Sequence, residues 1–294
     1  MANLSGTKKS RCTMIFRYNL RVYFALLLLG SPLARAEWVT TSLPRVNDLT
    51  KAELFHETSL TPTNGVVVLL PGMNGDGKVM LGETPWRDFA KTHGLGLVGV
   101  SFSSPPALLY GNPAKGYYYP EQGSGEALIN GLHKIYGKNV KILLYGFSGG
   151  AQFGSRFAEL YPEKMLGWAA YSASFWKNPN SAGPNSAPGI VACGEFDAER
   201  YGPSFAYFQQ GRRKDARLTW VSIGNVGHMR HKRFEEFVRA YFVAVLNGKF
   251  DHAKWLDAET KLPTTEDDRL LNPALSVWLP TSEIADSWLK LHHP

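Results

Sequence analysis

The chain alternates between short, mostly apolar runs and longer segments whose apolar residues recur with a helical period. The apolar runs are typical of strands buried on both faces of a sheet, and they cover residues 66–70, 97–102, 142–145, 165–173, 189–193 and 217–223. The intervening segments predict helices near residues 84–93, 126–136, 151–160, 204–214 and 230–246. In one of these helices Phe153, Phe157 and Leu160 are spaced four and three residues apart, which places them on one face.

Strands that alternate with helices predict an α/β fold, in which a mostly parallel central sheet is flanked by helices. Two further strands are expected at the sheet edge within residues 37–60, and the main domain is expected to cover residues 37–250. The C-terminal tail, residues 251–294, carries Trp255, Trp278 and Trp288. We expect these aromatic residues to pack the tail back on the domain as a stabilising extension.

Residues with reactive or flexible groups recur where the predicted parallel strands end. They are Gly72 with Met73, then Ser148, Asp197 and His228. The carboxyl ends of parallel strands meet at one edge of a sheet, and ligands bind beyond that edge. We therefore expect these residues to lie close together.

Ser148 stands in the sequence G-F-S-G-G, residues 146–150, between a predicted strand and a predicted helix. The pattern G-x-S-x-G is weak alone, but a strand before it and a helix after it make it typical of a turn that exposes the serine hydroxyl. Serine is a poor nucleophile at neutral pH, so it needs a base, and the base needs an orienting acid. Asp197 and His228 each follow a later strand and can supply these two groups.

Each partner of Ser148 has a neighbouring alternative. Glu195 is a second candidate for the acid, although the position of Asp197 at the end of its loop favours Asp197. His231 is a second candidate for the base, but it is predicted to lie inside the following helix, which favours His228.

At these positions the sequence resembles the α/β-hydrolase superfamily. Residues 146–150 match its nucleophile elbow, residues 194–197 its acid loop and residues 227–228 its histidine loop. The resemblance covers residues 66–246, and it implies the α/β-hydrolase fold. It also implies that Ser148 is the nucleophile, that His228 is the general base and then the general acid, and that Asp197 is the orienting carboxylate.

The resemblance further implies an oxyanion hole made of backbone N–H groups. One donor is Gly149, since the residue after the serine begins a helix whose first N–H groups are unpaired and whose dipole favours an anion. The second donor is Met73 or its neighbour Asn74, because P-G-M at residues 71–73 stands where many lipases have a histidine followed by glycines.

The substrate is indicated less directly. There is no long insertion between residues 173 and 189, so a large helical lid domain is not expected. Aromatic side chains give apolar contact at a low entropic cost, and the candidate walls of a pocket are Tyr117, Tyr118, Tyr119, Phe175 and Trp176. Within the superfamily the chain resembles secreted esterases, including members similar to polyhydroxybutyrate depolymerases and feruloyl esterases. A small-molecule or polymer-linked ester is therefore the expected substrate.

The first 36 residues predict a secretory signal peptide. A basic segment precedes the apolar run at residues 22–29, and A-R-A at residues 34–36 is a cleavage signal. The apolar run is shorter than the roughly 20 residues of a membrane span, so stable membrane insertion is not expected after cleavage, and an uncleaved anchor is the alternative. We expect cleavage after Ala36 and a secreted or periplasmic protein.

Removal of these residues changes the charge of the chain. The whole sequence has 32 basic and 25 acidic residues, and six of the basic residues precede residue 37. The remaining chain is therefore nearly neutral, and its charge does not indicate nucleic-acid binding. Cys193 would be its only cysteine, so no intramolecular disulfide is expected.

Neither a metal nor a cofactor is expected. No spaced set of His and Cys residues indicates zinc, the glycines at residues 72–77 lack the G-K-[ST] ending of a phosphate loop, and Asp76 is most simply a turn residue. The sequence thus favours an exported serine esterase. A serine peptidase on the same fold and a catalytically silent binding protein are the alternatives, although a binding role would not require all of Ser148, Asp197 and His228.

Overall fold

Eight strands form one sheet at the centre of the fold. The computed structural model describes residues 38–46, 48–60, 62–82, 84–105 and 116–292, and the predicted signal peptide lies outside them. The strands of the sheet are β1 Trp38–Ser42, β2 Lys51–Glu57, β3 Val66–Leu70, β4 Gly96–Ser103, β5 Ile142–Phe147, β6 Met165–Tyr171, β7 Gly189–Gly194 and β8 Leu218–Ile223.

The strand order is β1-β2-β4-β3-β5-β6-β7-β8. The pairings of β1 with β2 and of β2 with β4 are antiparallel, whereas all pairings from β4 to β8 are parallel. The predicted mostly parallel sheet and the two predicted edge strands are therefore confirmed. The parallel strands are buried along nearly their whole length, which explains why their sequences are continuous apolar runs instead of alternating ones.

Helices flank this sheet. Within the described residues they are α1 Gly77–Leu81, α2 Thr84–Thr92, α3 Ser124–Tyr136, α4 Gly149–Leu160, α5 Ala198–Arg212, α6 Lys232–Asn247, α7 Glu266–Leu271 and α8 Ser282–His292. The segment between β6 and β7 contains no helix, as expected for a fold without a large lid there. No described helix has both the length and the apolar character that crossing a membrane requires.

Helix α5 begins six residues before its predicted start at residue 204. It starts immediately after Asp197 and continues through Pro203, which lies inside the helix. Proline has no N–H group and removes one helical hydrogen bond, so it suggests a helix boundary in the sequence. Here Gly202 and Pro203 are both exposed, and the helix tolerates the interruption.

The tail packs against the edge of the sheet at β8. Its two strands, β9 Lys254–Asp257 and β10 Ser276–Leu279, form a separate antiparallel pair. The Trp288 indole donates a hydrogen bond to the Trp220 carbonyl oxygen over 2.6 Å, and the Thr219 hydroxyl donates to the Trp278 carbonyl oxygen over 2.5 Å. Trp278 and Trp288 are buried, so the tail covers a sheet edge that would otherwise be exposed.

Candidate active site

Ser148 lies at the turn between β5 and α4. Its backbone has φ of +54° and ψ of −118°, a conformation that costs energy for a residue with a side chain and that is maintained by the surrounding structure. The glycines on either side are required by space. A Cβ atom on Gly146 would overlap the Gly150 carbonyl oxygen, and one on Gly150 would overlap the Leu70 carbonyl oxygen. The tight contact between strand and helix leaves the Ser148 side chain facing outwards at the carboxyl edge of the sheet.

The structure brings Ser148, His228 and Asp197 together in one hydrogen-bonded chain. The Ser148 Oγ atom lies 2.9 Å from His228 Nε2, and His228 Nδ1 lies 2.7 Å from Asp197 Oδ2. The Phe147 ring stacks on the imidazole with 5.0 Å between the ring centres, which fixes the plane of the histidine. In this arrangement the nitrogen facing the serine can accept a proton while the other nitrogen donates to a carboxylate.

Asp197 is held as a carboxylate by several donors. It is 4% exposed, and its second oxygen, Oδ1, accepts a hydrogen bond of 2.9 Å from Arg200. Burial alone would raise its pKa, but hydrogen bonds from His228, Arg200 and Ser172 outweigh burial and lower the pKa below the usual value. Asp197 therefore stays ionised and can stabilise a protonated histidine.

The two alternative partners do not take part in this chain of hydrogen bonds. Glu195 is exposed, and its carboxylate accepts hydrogen bonds from the Ser222 hydroxyl and the Asn225 backbone N–H. His231 occupies the position that caps the N-terminus of α6, so the prediction that it lies inside that helix was wrong by one residue.

The backbones of Gly149 and Met73 meet beside Ser148 in the lining of one cleft. A Cβ atom built on Gly149, the first residue of α4, would lie 3.0 Å from the Met73 nitrogen, so the two residues are in close contact. Among the described residues, neither N–H group donates to a protein acceptor. The Asn74 N–H instead hydrogen-bonds the hydroxyl group of Tyr117. This leaves Met73, and not Asn74, as the candidate partner of Gly149 in an oxyanion hole.

Of the predicted pocket walls, Tyr118 and Phe175 line the cleft in front of Ser148. This cleft has a volume of about 940 Å³. Its apolar lining includes Met73, Tyr118, Phe147, Phe175 and Pro203, and its polar lining includes Gln152, Ser174, Glu199 and Arg200. Apolar walls with a few polar groups are typical of a small-molecule site.

The predictions that Tyr117 and Trp176 line the cleft are wrong. Tyr117 is buried behind the loop of Met73 and Asn74, which we call the oxyanion loop, and its hydroxyl group hydrogen-bonds the Asn74 N–H. Burial raises the pKa of Tyr117. The Trp176 ring stacks on Tyr207 with 4.3 Å between ring centres, and its indole N–H is shared between the Ala173 carbonyl oxygen and the Ser204 hydroxyl. The indole N–H needs a buried acceptor, and it finds one in the protein instead of facing the cleft. Tyr119 is also outside the lining and stacks on the Arg156 guanidinium.

A partly buried ion pair anchors the loop that carries His228, and the sequence did not indicate it. Arg230 donates two hydrogen bonds to Glu235, of 2.7 and 2.9 Å. The Glu235 carboxylate is buried and also accepts from the Tyr145 hydroxyl on β5 and, over 3.4 Å, from the Trp86 indole N–H on α2. Because β5 also leads to Ser148, this network ties the histidine loop to the strand of the serine.

We predict that Glu235→Gln lowers both stability and kcat for ester hydrolysis. The amide keeps the shape of the side chain but removes the negative charge that faces Arg230 and replaces one acceptor oxygen by a donor, so the free energy of unfolding should fall by about 2 kcal/mol. Loosening of the histidine loop should lower kcat about tenfold. Urea unfolding and steady-state kinetics measure both effects, and Glu236→Gln, on the exposed neighbour, is the matched control. Wild-type values for Glu235→Gln would contradict the anchoring role.

Comparison with known proteins identifies the fold. No protein-family model matches the chain, and no curated protein matches its sequence. Solved structures match this chain in fold. An arylesterase is 12% identical with a TM-score of 0.53, and the match covers 72% of this chain and 85% of that chain. S-formylglutathione hydrolase from Staphylococcus aureus is 15% identical with a TM-score of 0.51, covering 72% of this chain and 98% of that one. An esterase from Pyrococcus furiosus is 12% identical with a TM-score of 0.53, and the match covers 72% of this chain and 93% of that chain.

These comparisons and the sheet topology establish the α/β-hydrolase fold for this chain. The sequence identities are low, so the likeness concerns the fold, and the chemistry has to be argued from the residues at the carboxyl edge of the sheet. Across the residues that the structure describes, no group of three or more His, Cys, Asp or Glu side chains is placed to hold a metal ion.

Proposed function

We propose that this protein is a serine hydrolase that cleaves carboxylic esters through an acyl-enzyme intermediate. The observation that carries the proposal is the hydrogen-bonded chain from Ser148 through His228 to Asp197, next to the N–H groups of Gly149 and Met73, which donate to none of the described residues. A purely structural turn would need neither a histidine within hydrogen-bond distance of the serine nor a buried carboxylate behind that histidine.

In the first half of the reaction, Ser148 Oγ forms a bond to the ester carbonyl carbon while its proton moves to His228 Nε2. The carbonyl oxygen becomes an anion that accepts hydrogen bonds from the Gly149 and Met73 N–H groups. Each such donor stabilises the transition state by about 3 kcal/mol. The intermediate then collapses, the carbon–oxygen bond to the alcohol breaks, and His228 returns the proton to the departing oxygen. The alcohol leaves, and the acyl group remains on Ser148.

In the second half, water takes the place of the alcohol. His228 accepts a proton from the water as its oxygen attacks the acyl carbon, and the same two N–H groups stabilise the second anion. When this intermediate collapses, His228 protonates Ser148 Oγ, and the carboxylic acid is released. Asp197 does not exchange protons in this scheme. It holds the orientation of His228 and stabilises the imidazolium form in both halves.

The names of the solved structures that share the fold support an ester substrate. They include an arylesterase, S-formylglutathione hydrolase and a carboxylesterase from a metagenomic library. The cleft of about 940 Å³ offers space for the acyl and alcohol parts of a small ester or for one end of a polymer-linked ester.

The experiment is a substrate panel of p-nitrophenyl esters and peptide p-nitroanilides, with p-nitrophenol and p-nitroaniline release measured side by side. We expect turnover of short-chain esters and much slower turnover of anilides. Anilide turnover at rates similar to the ester rates would favour a peptidase. If neither substrate class is turned over above the buffer rate, the proposed function is wrong and a binding role becomes the better hypothesis.

We further propose that the protein is exported and cleaved after Ala36. The sequence of residues 1–36 supports this, because a basic segment, an apolar run and a cleavage signal follow in order. Expression of the full-length chain in a bacterial host, followed by intact-mass measurement of the periplasmic or extracellular protein, should give a mature form that begins at Glu37. A protein that stays in the cytoplasm with an intact N-terminus would contradict the proposal.

A further inference from the structure

The cleft lining includes a side-chain amide that bonds no other residue that the structure describes. Gln152 lies on α4, one turn after Ser148, and lines the cleft. Only 6% of the residue is exposed, and within the described part of the chain its side-chain amide makes no hydrogen bond. Among the described residues, the amide is not one of the fully buried polar groups without a partner, so it stays within reach of water in the cleft.

An apolar side chain could occupy the position of Gln152 without loss of packing. The neighbours of Gln152 on the same helix, Ala151 and Phe153, are fully buried and apolar. Methionine has nearly the shape of glutamine and would fill the same volume without an unpaired polar group. A polar group next to the nucleophile, at a position where an apolar side chain would fit, indicates a role in binding.

A guanidinium in the same cleft lining also has an unused donor. Arg200 Nε is buried and has no hydrogen-bond partner among the described residues, although its Nη1 atom binds Asp197. Gln152 differs from Arg200 in having no task in the hydrogen-bonded chain of Asp197, His228 and Ser148. Its amide is therefore available to a ligand.

In the free protein, water in the cleft can satisfy the amide. A substrate that fills the cleft displaces this water and has to replace its hydrogen bond. An alkyl chain cannot do so and would leave the amide unpaired, whereas an ether, hydroxyl or ester oxygen in the same place would restore the bond. A site of this kind discriminates against the substrate that lacks the polar atom.

The position of Gln152 indicates which part of the substrate it meets. The acyl group stays bonded to Ser148 throughout both halves of the reaction, whereas the alcohol departs beside His228. Gln152 lies about 6 Å further along the helix that begins at the serine. An acyl chain of a few atoms can span this distance from the carbonyl carbon.

We propose that Gln152 is a specificity-determining residue that hydrogen-bonds an oxygen atom in the acyl chain. The preferred substrates are then esters of oxygen-substituted acids, such as hydroxy, alkoxy or acyloxy acids, over esters of alkanoic acids of the same length. This inference rests on the proposed ester hydrolysis and adds the class of acyl group. The Gln152 amide can donate to an ether or carbonyl oxygen and can both donate to and accept from a hydroxyl group.

The test compares p-nitrophenyl 3-methoxypropionate with p-nitrophenyl pentanoate, which differ by one oxygen in place of a methylene group. The quantity measured is the kcat/KM for the methoxypropionate ester divided by the kcat/KM for the pentanoate ester. Comparing this ratio between variants removes the difference in intrinsic reactivity of the two esters. We expect Gln152→Met to lower the ratio about tenfold relative to the wild type. Gln210→Met, on the exposed face of α5, is the matched control and should keep the wild-type ratio.

A second measurement separates binding from structure. Because the Gln152 amide bonds no described residue and methionine fills nearly the same volume, the Tm of Gln152→Met should stay within about 2 °C of the wild-type value. If Gln152→Met does not fold, Gln152→Leu replaces it in the same comparison.

A wild-type ratio in the folded Gln152 variant would overturn this inference while leaving the proposed function intact, provided that Ser148→Ala is inactive. A lower Tm together with a wild-type ratio would assign Gln152 a structural role. If wild-type protein turns over neither ester, the proposed function fails, and this inference fails with it.

Discussion

The Ser148→Ala variant is expected to lose ester hydrolysis, with kcat reduced by about 10⁴-fold or more. Alanine keeps the backbone of the elbow but removes the atom that would bond to the acyl carbon, so only stabilisation by the oxyanion hole and the cleft remains. The side chain of Ser148 makes a hydrogen bond to His228, and no packing of the core depends on it. The measurement is steady-state release of p-nitrophenol from a short-chain ester, with circular dichroism to establish that the variant is folded.

Ser155→Ala is the control for this result. Ser155 lies on the same helix, is buried, and donates a hydrogen bond to the Gln152 carbonyl oxygen within that helix. This variant should keep a kcat close to the wild-type value, since Ser155 lies outside the cleft lining. A Ser148→Ala variant that remains folded and retains most of its activity would show that another group performs the hydrolysis.

The Asp197→Asn variant is expected to lose about 10⁴-fold in kcat with little change in KM. Asparagine fits the same space and can still bind Arg200 through its carbonyl oxygen. It lacks the negative charge, however, and its amide can donate to His228 Nδ1, which would place the histidine proton on Nε2. The imidazole could then no longer accept the Ser148 proton, and the imidazolium form would lose its counterion.

Glu195→Gln separates the two candidate acids. The Glu195 carboxylate binds Ser222 and Asn225 and lies outside the chain of hydrogen bonds to Ser148. The kcat of the Glu195→Gln variant should therefore stay within about twofold of the wild-type value. Both variants are compared on one ester at saturating and at low concentration, which gives kcat and KM separately. If Glu195→Gln had the larger effect, the assignment of Asp197 as the orienting acid would be wrong.

The sequence predicted the sheet well because each parallel strand is buried on both faces. Burial of this kind demands an unbroken apolar run, and such a run is visible without knowledge of any other part of the chain. The residues of the hydrogen-bonded chain were predictable for a related reason. Parallel strands place their carboxyl ends at one edge, so Ser148, Asp197 and His228 are brought together by topology alone.

The cleft walls could not be predicted in the same way. Whether an aromatic side chain on a loop faces a cleft or the core depends on contacts with residues far away in sequence. The Trp176 indole N–H donates to acceptors on its own loop and on α5, which turns its ring away from the cleft. Its neighbour Phe175 has no polar group that needs a partner, and it lines the cleft. Tyr117 similarly lies behind the oxyanion loop, where its hydroxyl group bonds the N–H group of Asn74.

The sequence did not indicate the roles of two polar residues, Glu235 and Gln152. Glu235 binds Tyr145, 90 residues earlier in the chain. Gln152 differs, because its side-chain amide lines the cleft and bonds no other residue that the structure describes. Its position one turn after Ser148 was nevertheless a signal within the sequence, since a helical residue four positions after a nucleophile lies on the same face.

The most direct test of the account is covalent labelling of Ser148 by an alkyl fluorophosphonate, which mimics the tetrahedral anion of ester hydrolysis. Wild-type protein and Ser148→Ala are treated in parallel, intact masses are measured, and the labelled peptide is sequenced by mass spectrometry. We expect one phosphonyl group per wild-type molecule, located on Ser148, with loss of ester hydrolysis in proportion to labelling, and no adduct on Ser148→Ala. An adduct on a different residue, or full ester hydrolysis by protein that carries the label on Ser148, would contradict it.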